Sequence, residues 1–329
     1  MIEVTEAARL MTRGGSTSIH APANQRTRSA VMTDFGWILL FTLFCPASVI
    51  AATLEPATLK AWDDYVECAN RRMEQRLTSG GPFLWLDEMP GRRARVRAGE
   101  VLVSPGSEEN PRRVPSGLIH DWIGAIFIPG ATLADVMQVV SDYARYKDFY
   151  KPTVAESKPI ALEEAADRYS MLLINKSLML KTAFDTDYES SYIRIDSQRG
   201  YSISRTTRVQ EVEEYGTPPQ HLLRVGEGSG IIWRLFSIAR YVERDGGVYV
   251  ELNAIGLSRD IPASLRWFVQ PIVRRVSRSA LSTTLQQTES AVQSSAALAL
   301  RKAATGEAIA ALDRGSAVSR GLRPVHRAH

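Results

Sequence analysis

The sequence predicts an α+β fold, a curved antiparallel sheet covered by one long C-terminal helix, with an extra helix ahead of it. Three observations predict this. Residues 54–77 carry apolar side chains at helical spacing. Residues 153–260 are successive runs rich in β-branched and aromatic residues, divided by regularly spaced turn signals. Pro262 then opens an apolar-faced helix running to about Ser294. Regular turns between strands mean an antiparallel meander, and an apolar sheet face needs a cover, which the last helix supplies.

In chain order, the first segment is an export signal. "FGWILLFTLFCPASVIAA" is an apolar run with a small-residue exit near Ile50 to Ala52, and Arg26 and Arg28 lie upstream. A basic region, an apolar region and a small-residue exit describe a secretory signal. Secretion or a periplasmic location is the expectation, and an uncleaved membrane anchor is the alternative. Of the two cysteines, Cys45 and Cys68, cleavage removes the first, so the mature chain can form no internal disulfide.

After the signal (1–52) come an N-terminal helix and leading strands (53–100), the main sheet-and-helix domain (101–295) and an Ala/Arg-rich tail (296–329) expected to be disordered. Trp62, Tyr65, Val66, Ala69, Met73 and Leu77 form the face of the first helix, which "SGGP" ends. "FLWLD", "ARVRAGEVLVSP" and "GLIHDWIGAIFIPG" read as strands. Pro129-Gly130 stops the last of these. Thr132 with Asp135 forms a capping-box pattern for a helix from Leu133 to Tyr150, which Lys151-Pro152 ends. In the meander, turns fall at Gln198–Gly200, Gly216–Pro219 and Asp245–Gly247, with a helical hint near 233–240. "RDGG" between alternating runs signals a hairpin.

Composition excludes several functions. With 40 basic and 36 acidic residues the net charge is +4. No basic stripe interleaves with stacking aromatics, so no nucleic-acid partner is expected. No His pair stands at i, i+4 and cysteines are too few for a zinc site, so no metal or other cofactor is expected. "GEGSG" lacks the strand-to-helix context and the Lys of a phosphate loop, and no G-x-S-x-G is present. His120 and Asp121 are adjacent on a strand and so point to opposite faces. Glu251, eight residues before Arg259, is a carboxylate among apolar neighbours; it is either a cross-strand ion pair on the solvent side or a polar group in a cavity.

"GLIHDWIGAIFIPGATLADVMQVVSDYARYKDFYKP", "WRLFSIARYVERDGGVYVELNAIGLSRDIP" and "LRWFVQPIVRRVSRSALSTTLQQT" resemble the START-like helix-grip superfamily, also called SRPBCC. That superfamily includes polyketide cyclases and lipid-binding START proteins. Over about residues 57–293 the chain also resembles a group of exported bacterial proteins with a START domain. The group's pattern near 233 has polar and aromatic residues where Phe236, Ile238 and Ala239 stand here.

The resemblance implies a hydrophobic cavity between sheet and helix. Leu265, Phe268, Val269, Ile272 and Val276 would floor it. Leu172, Ile174, Val250 and Leu252 would form its walls, and Trp122, Phe127 and Trp233 would also contact the ligand. Tyr146 and Tyr150 would stand at its rim, and Glu251 and Arg259 would be its polar pair. The expected partner is a hydrophobic small molecule or lipid, bound without catalysis, with transient membrane contact. A cyclase/aromatase-type enzyme and a cavity-less interaction module are the alternatives.

Overall fold

The computed structural model of the chain describes residues 52–177 and 180–320, with side chains outside 175–181 and 296–320. A short strand, β1 (Ala52–Thr53), precedes α1 (Pro56–Thr78), whose Pro56 lies at the first helical position, where a missing N–H costs nothing. Thr58, Trp62, Tyr65, Ala69 and Met73 form its buried face. Of the next two expected strands, the first is not a strand and the second is strand only at its end, Leu102–Pro105. Trp85–Asp87 is a 3₁₀ turn, and "RRARVR" forms α2 (Arg92–Arg97). Short apolar runs do not separate strand from turn by period, and the Arg- and Ala-rich run favours helix.

The strands that follow are β2 (Leu102–Pro105), β3 (Arg112–Val114) and β4 (Gly117–Pro129). Helix α3 (Leu133–Val140) starts at the expected capping box: Thr132 accepts from the Asp135 backbone, and the Asp135 side chain accepts from the Thr132 backbone. The expected single helix to Tyr150 breaks after Val140. The Ser141 hydroxyl donates to Met137 O at 2.6 Å, a local bond that competes with helix propagation. A 3₁₀ turn (Tyr143–Arg145) and α4 (Tyr146–Phe149) follow.

The meander is β5 (Val154–Ala161), β6 (Asp167–Ser177), β7 (Leu180–Arg194), β8 (Arg199–Glu213), the short β9 (His221–Leu222) and β10 (Glu227–Gly228), then β11 (Arg234–Arg244) and β12 (Gly247–Arg259). The helical hint near 233–240 is therefore strand. The β11–β12 turn places Asp245 at φ 58° and Gly246 at φ 79°, as a two-residue type I′ hairpin requires.

The main sheet runs β2-β4-β12-β11-β8-β7-β6-β5, antiparallel throughout. With α5 (Ala263–Arg320) closing it, this is the helix-grip arrangement. The helix continues past Ser295, so the expected disorder of the tail does not hold to Arg320. The Ala-rich sequence there has high helix propensity. Residues 321–329 lie outside the described residues.

The sheet is covered on both faces, and alternate residues divide between two cores. On the outer face α1 and the 83–97 segment pack on Phe127, Phe236, Ile238, Tyr249 and Ile255. On the inner face α5 and α3 pack on Trp122, Ile126, Ile128, Tyr241, Val248 and Val250. Strand β4 is consequently buried from Gly117 to Ile128 without alternation.

Candidate functional site

Helix α5 is seated over only part of its length. Gly124 of β4 makes the seat: a Cβ there would come within 2.8 Å of Leu285 and 3.2 Å of Leu281. Leu281, Leu285, Ala291 and Val292 are buried against the sheet and α3. The stretch before this seat differs. It contains Pro271, which cannot donate to the Trp267 carbonyl one turn earlier. Here Leu265 is 51% exposed, Trp267 79% and Phe268 50%. Val269, Ile272 and Val273 are half-buried. On the sheet's inner face Leu252 and Ala254 are also half-buried. The first turns of α5 thus border a groove at the edge of the inner face, a cleft of about 310 Å³ lined by Leu118, Arg266, Gln270, Arg274, residues 108–111 and Arg113.

Deeper on the inner face the break in the α3–α4 segment brings a set of tyrosines together. Tyr143 stacks on Tyr169 at 4.1 Å, and Tyr169 stacks on Tyr188 at 5.1 Å. Tyr146 meets Tyr143, Tyr150 and Tyr169 edge-on. Their hydroxyls are paired. Tyr143 donates to Asp167 at 3.0 Å, Tyr146 donates to Val140 O, Tyr169 pairs with Ser204 and Tyr150 with Thr288. Burial pushes these phenols above their ordinary range, so each remains neutral and serves as a hydrogen-bonding group, not a base.

The expected site residues separate. Trp122 is on the inner face, and Tyr146 and Tyr150 belong to the tyrosine set. Leu265, Phe268 and Val276 are exposed beside the groove and do not form a closed floor. Val269 and Ile272 are half-buried at its border. Four residues face the other way. Phe127 packs on Tyr249 in the outer core at 4.7 Å, and Trp233 is in the same core. Leu172 and Ile174 alternate with Tyr169 and Met171, which hold the inner position, so they point outward. The polar pair does not form either. Arg259 donates to Ser229 O at 3.3 Å. Glu251 lies on the outer face, paired with Arg240 at 2.7 Å, and accepts from Leu86 N at 3.2 Å. Of the two alternatives it is the cross-strand ion pair and not the cavity's polar group, but α1 and the 83–97 segment bury it, so it does not lie on a solvent side.

His120 and Asp121 do point to opposite faces. Asp121 accepts from Tyr65 and Asn253, both at 2.6 Å, on the outer face. His120 faces inward, its Nε2 3.0 Å from Ser258 Oγ. Burial, with the Arg274 charge second, lowers its pKa from 6.5 to about 4. Between those values the unfolded chain binds a proton that the folded chain refuses. The stability linked to this group is therefore whole above about pH 6.5. It falls as pH drops toward 4, by about 2–3 kcal/mol. Denaturation of the protein and of His120→Gln at pH 7 and near pH 4 checks this: the variant should lose less on acidification. Among the described residues no group of three or more His, Cys, Asp or Glu could hold a metal ion.

No protein-family model matches the sequence, and no curated protein does. Solved structures with a similar fold exist. A STAR-related lipid transfer protein from Xanthomonas axonopodis is 17% identical, with 59% of this chain and 98% of that chain covered and a TM-score of 0.37. A Thermus thermophilus protein is 16% identical, over 53% and 97%, with a TM-score of 0.37. The Zhui aromatase/cyclase from a Streptomyces species is 10% identical, over 53% and 94%, with a TM-score of 0.36. Likeness at this level does not transfer function, and the fold described above rests on the chain's own strand pairing.

Proposed function

We propose that this chain is an exported START-like protein that binds a hydrophobic small molecule or lipid between the first turns of α5 and the inner face of the sheet, without changing it. One observation carries the reading. An apolar helix stretch with Leu265, Trp267 and Phe268 exposed precedes the seated part of α5, and its Arg266, Gln270 and Arg274 border a cleft with Leu118 of the inner face. Exposed large apolar groups gathered in one place mark binding surfaces, whereas scattered ones need no explanation. The expected polar pair of the cavity does not face the groove, because Glu251 and its partner Arg240 lie beneath α1 and the 83–97 segment on the opposite face, which supports binding over turnover.

Transient membrane contact belongs to the same proposal. Arg266, Arg274, Arg275 and Arg278 accompany the exposed Leu265, Trp267 and Phe268 on one helix stretch, a composition that suits an interfacial helix. Among the described residues no helix is long and apolar enough to cross a membrane. Export is proposed from the apolar segment before Ala51. Cleavage ahead of Ala52 would keep β1, whose Ala52 and Thr53 pair with Gly228 and Glu227.

Native mass spectrometry of protein purified from its own host tests both parts. The expected result is a mature chain starting near Ala51 to Leu54, carrying a retained apolar ligand. An intact N-terminus recovered from the cytosol would end the export reading. A ligand-free spectrum together with failure to take up any apolar probe would end the binding reading.

A further inference from the structure

Two side chains on the inner face of β4 are each 8% exposed and carry a polar atom with no hydrogen-bond partner among the described residues: His120 Nδ1 and Trp122 Nε1. They stand two positions apart, so they share one face of the strand, roughly 6.5–7 Å from Cα to Cα. Leu118, next on the same face, lines the cleft under Arg266, Gln270 and Arg274. An unmet buried polar group is costly, and two on neighbouring positions need a common explanation.

The chemistry of the pair turns on Ser258. Its hydroxyl has one proton and two contacts, Arg259 O at 3.2 Å and His120 Nε2 at 3.0 Å. When Ser258 donates to Arg259 O, the His120 contact is made by imidazole Nε2–H donating to Ser258 Oγ; when Ser258 donates to His120 instead, the ring proton sits on Nδ1. In the first arrangement the neutral ring keeps a lone pair on Nδ1. Trp122 Nε1–H can only donate. With the proton on Nε2, the two residues offer one donor and one acceptor on the same face of β4. A hydroxyl group is their complement, accepting from Trp122 and donating to His120. A carboxylate has no proton to give to Nδ1, and a hydrocarbon satisfies neither atom.

We propose that His120 and Trp122 form a hydroxyl-recognition site and that the ligand is an amphipathic alcohol, apolar in body with its hydroxyl directed at β4. This rests on the groove-binding reading above and names the ligand class for it.

Three fluorescent probes that differ only at one end test the assignment: pyrenebutanol, pyrenebutanoate and butylpyrene. They are titrated into the parent, Trp122→Phe and Ser258→Ala. Trp122→Phe keeps an aromatic ring and removes the N–H. It should weaken pyrenebutanol by about 2–10-fold and leave butylpyrene unchanged. Ser258→Ala frees the imidazole to carry its proton on Nδ1. It should narrow the preference for the alcohol over the carboxylate, and this arm decides the matter should Trp122→Phe fail to fold. Variants that alter all three probes equally, or none, would overturn the hydroxyl site while leaving the groove standing. No binding of any probe to the parent would overturn the groove and the hydroxyl site together.

Discussion

Replacing Glu251 with alanine should lower the unfolding free energy by about 3–5 kcal/mol. Glu251 is 0% exposed and Arg240 is 4% exposed. Their cross-strand contact is closed over by α1 and the 83–97 segment, with Leu86 N and Met73 Sδ as the neighbouring groups. Removing the carboxylate strands a guanidinium away from water, which costs far more than a surface pair is worth. Thermal or urea denaturation gives the magnitude. Replacing Arg240 and Glu251 together with apolar residues should recover much of the loss, because no unpaired charge then remains buried. Apolar-probe binding to folded protein should be unchanged in Glu251→Ala, since the pair lies on the opposite face from the groove. A loss of binding without a loss of stability would put Glu251 back into the site.

The second large effect is expected at the seat of α5. Leu285 is 1% exposed and packs where Gly124 leaves room. Leu285→Ala should cost about 2–5 kcal/mol, the transfer and cavity cost of a buried leucine. Leu265→Ser and Phe268→Ser, one turn apart on the uncovered stretch, should change stability by less than about 1 kcal/mol. Chemical denaturation of the three variants measures the contrast. A comparable loss at Phe268 would mean that the first turns of α5 are packed in solution, which would close the groove.

What could be read from the residues was local. The Thr132–Asp135 cap, the Asp245-Gly246 turn and the helix after Pro262 are each specified within a few positions, and each forms as expected. Side-chain facing was not legible, for a physical reason. Alternation marks an inner face when the other face meets water. Here α1 and the 83–97 segment cover the outer face at Phe127 and Trp233, so those two carried no mark of pointing outward, and on β6 the apolar run Met171–Ile174 fills both faces without alternation. The same cover turned Glu251 from an expected solvent-side partner into a buried one. The break after Val140 was missed because Tyr143 continues the apolar period of α3. His120 had one available signal, its spacing of two from Trp122, which places both on one face of a strand.

Titration of a polycyclic fluorescent probe into the parent and into Ala254→Trp tests the central claim most directly. Ala254 is half-buried on the inner face, opposite Trp122 in the β12–β4 register. An indole there would project from the inner face beside Trp122, into the space the groove account leaves for ligand. The groove account predicts saturable binding of one probe per parent chain, weakened at least tenfold in Ala254→Trp, with the melting temperature within a few degrees of the parent. A parent that binds no probe, together with a variant that loses several kcal/mol to overpacking, would contradict it and show a solid interior between α5 and the sheet.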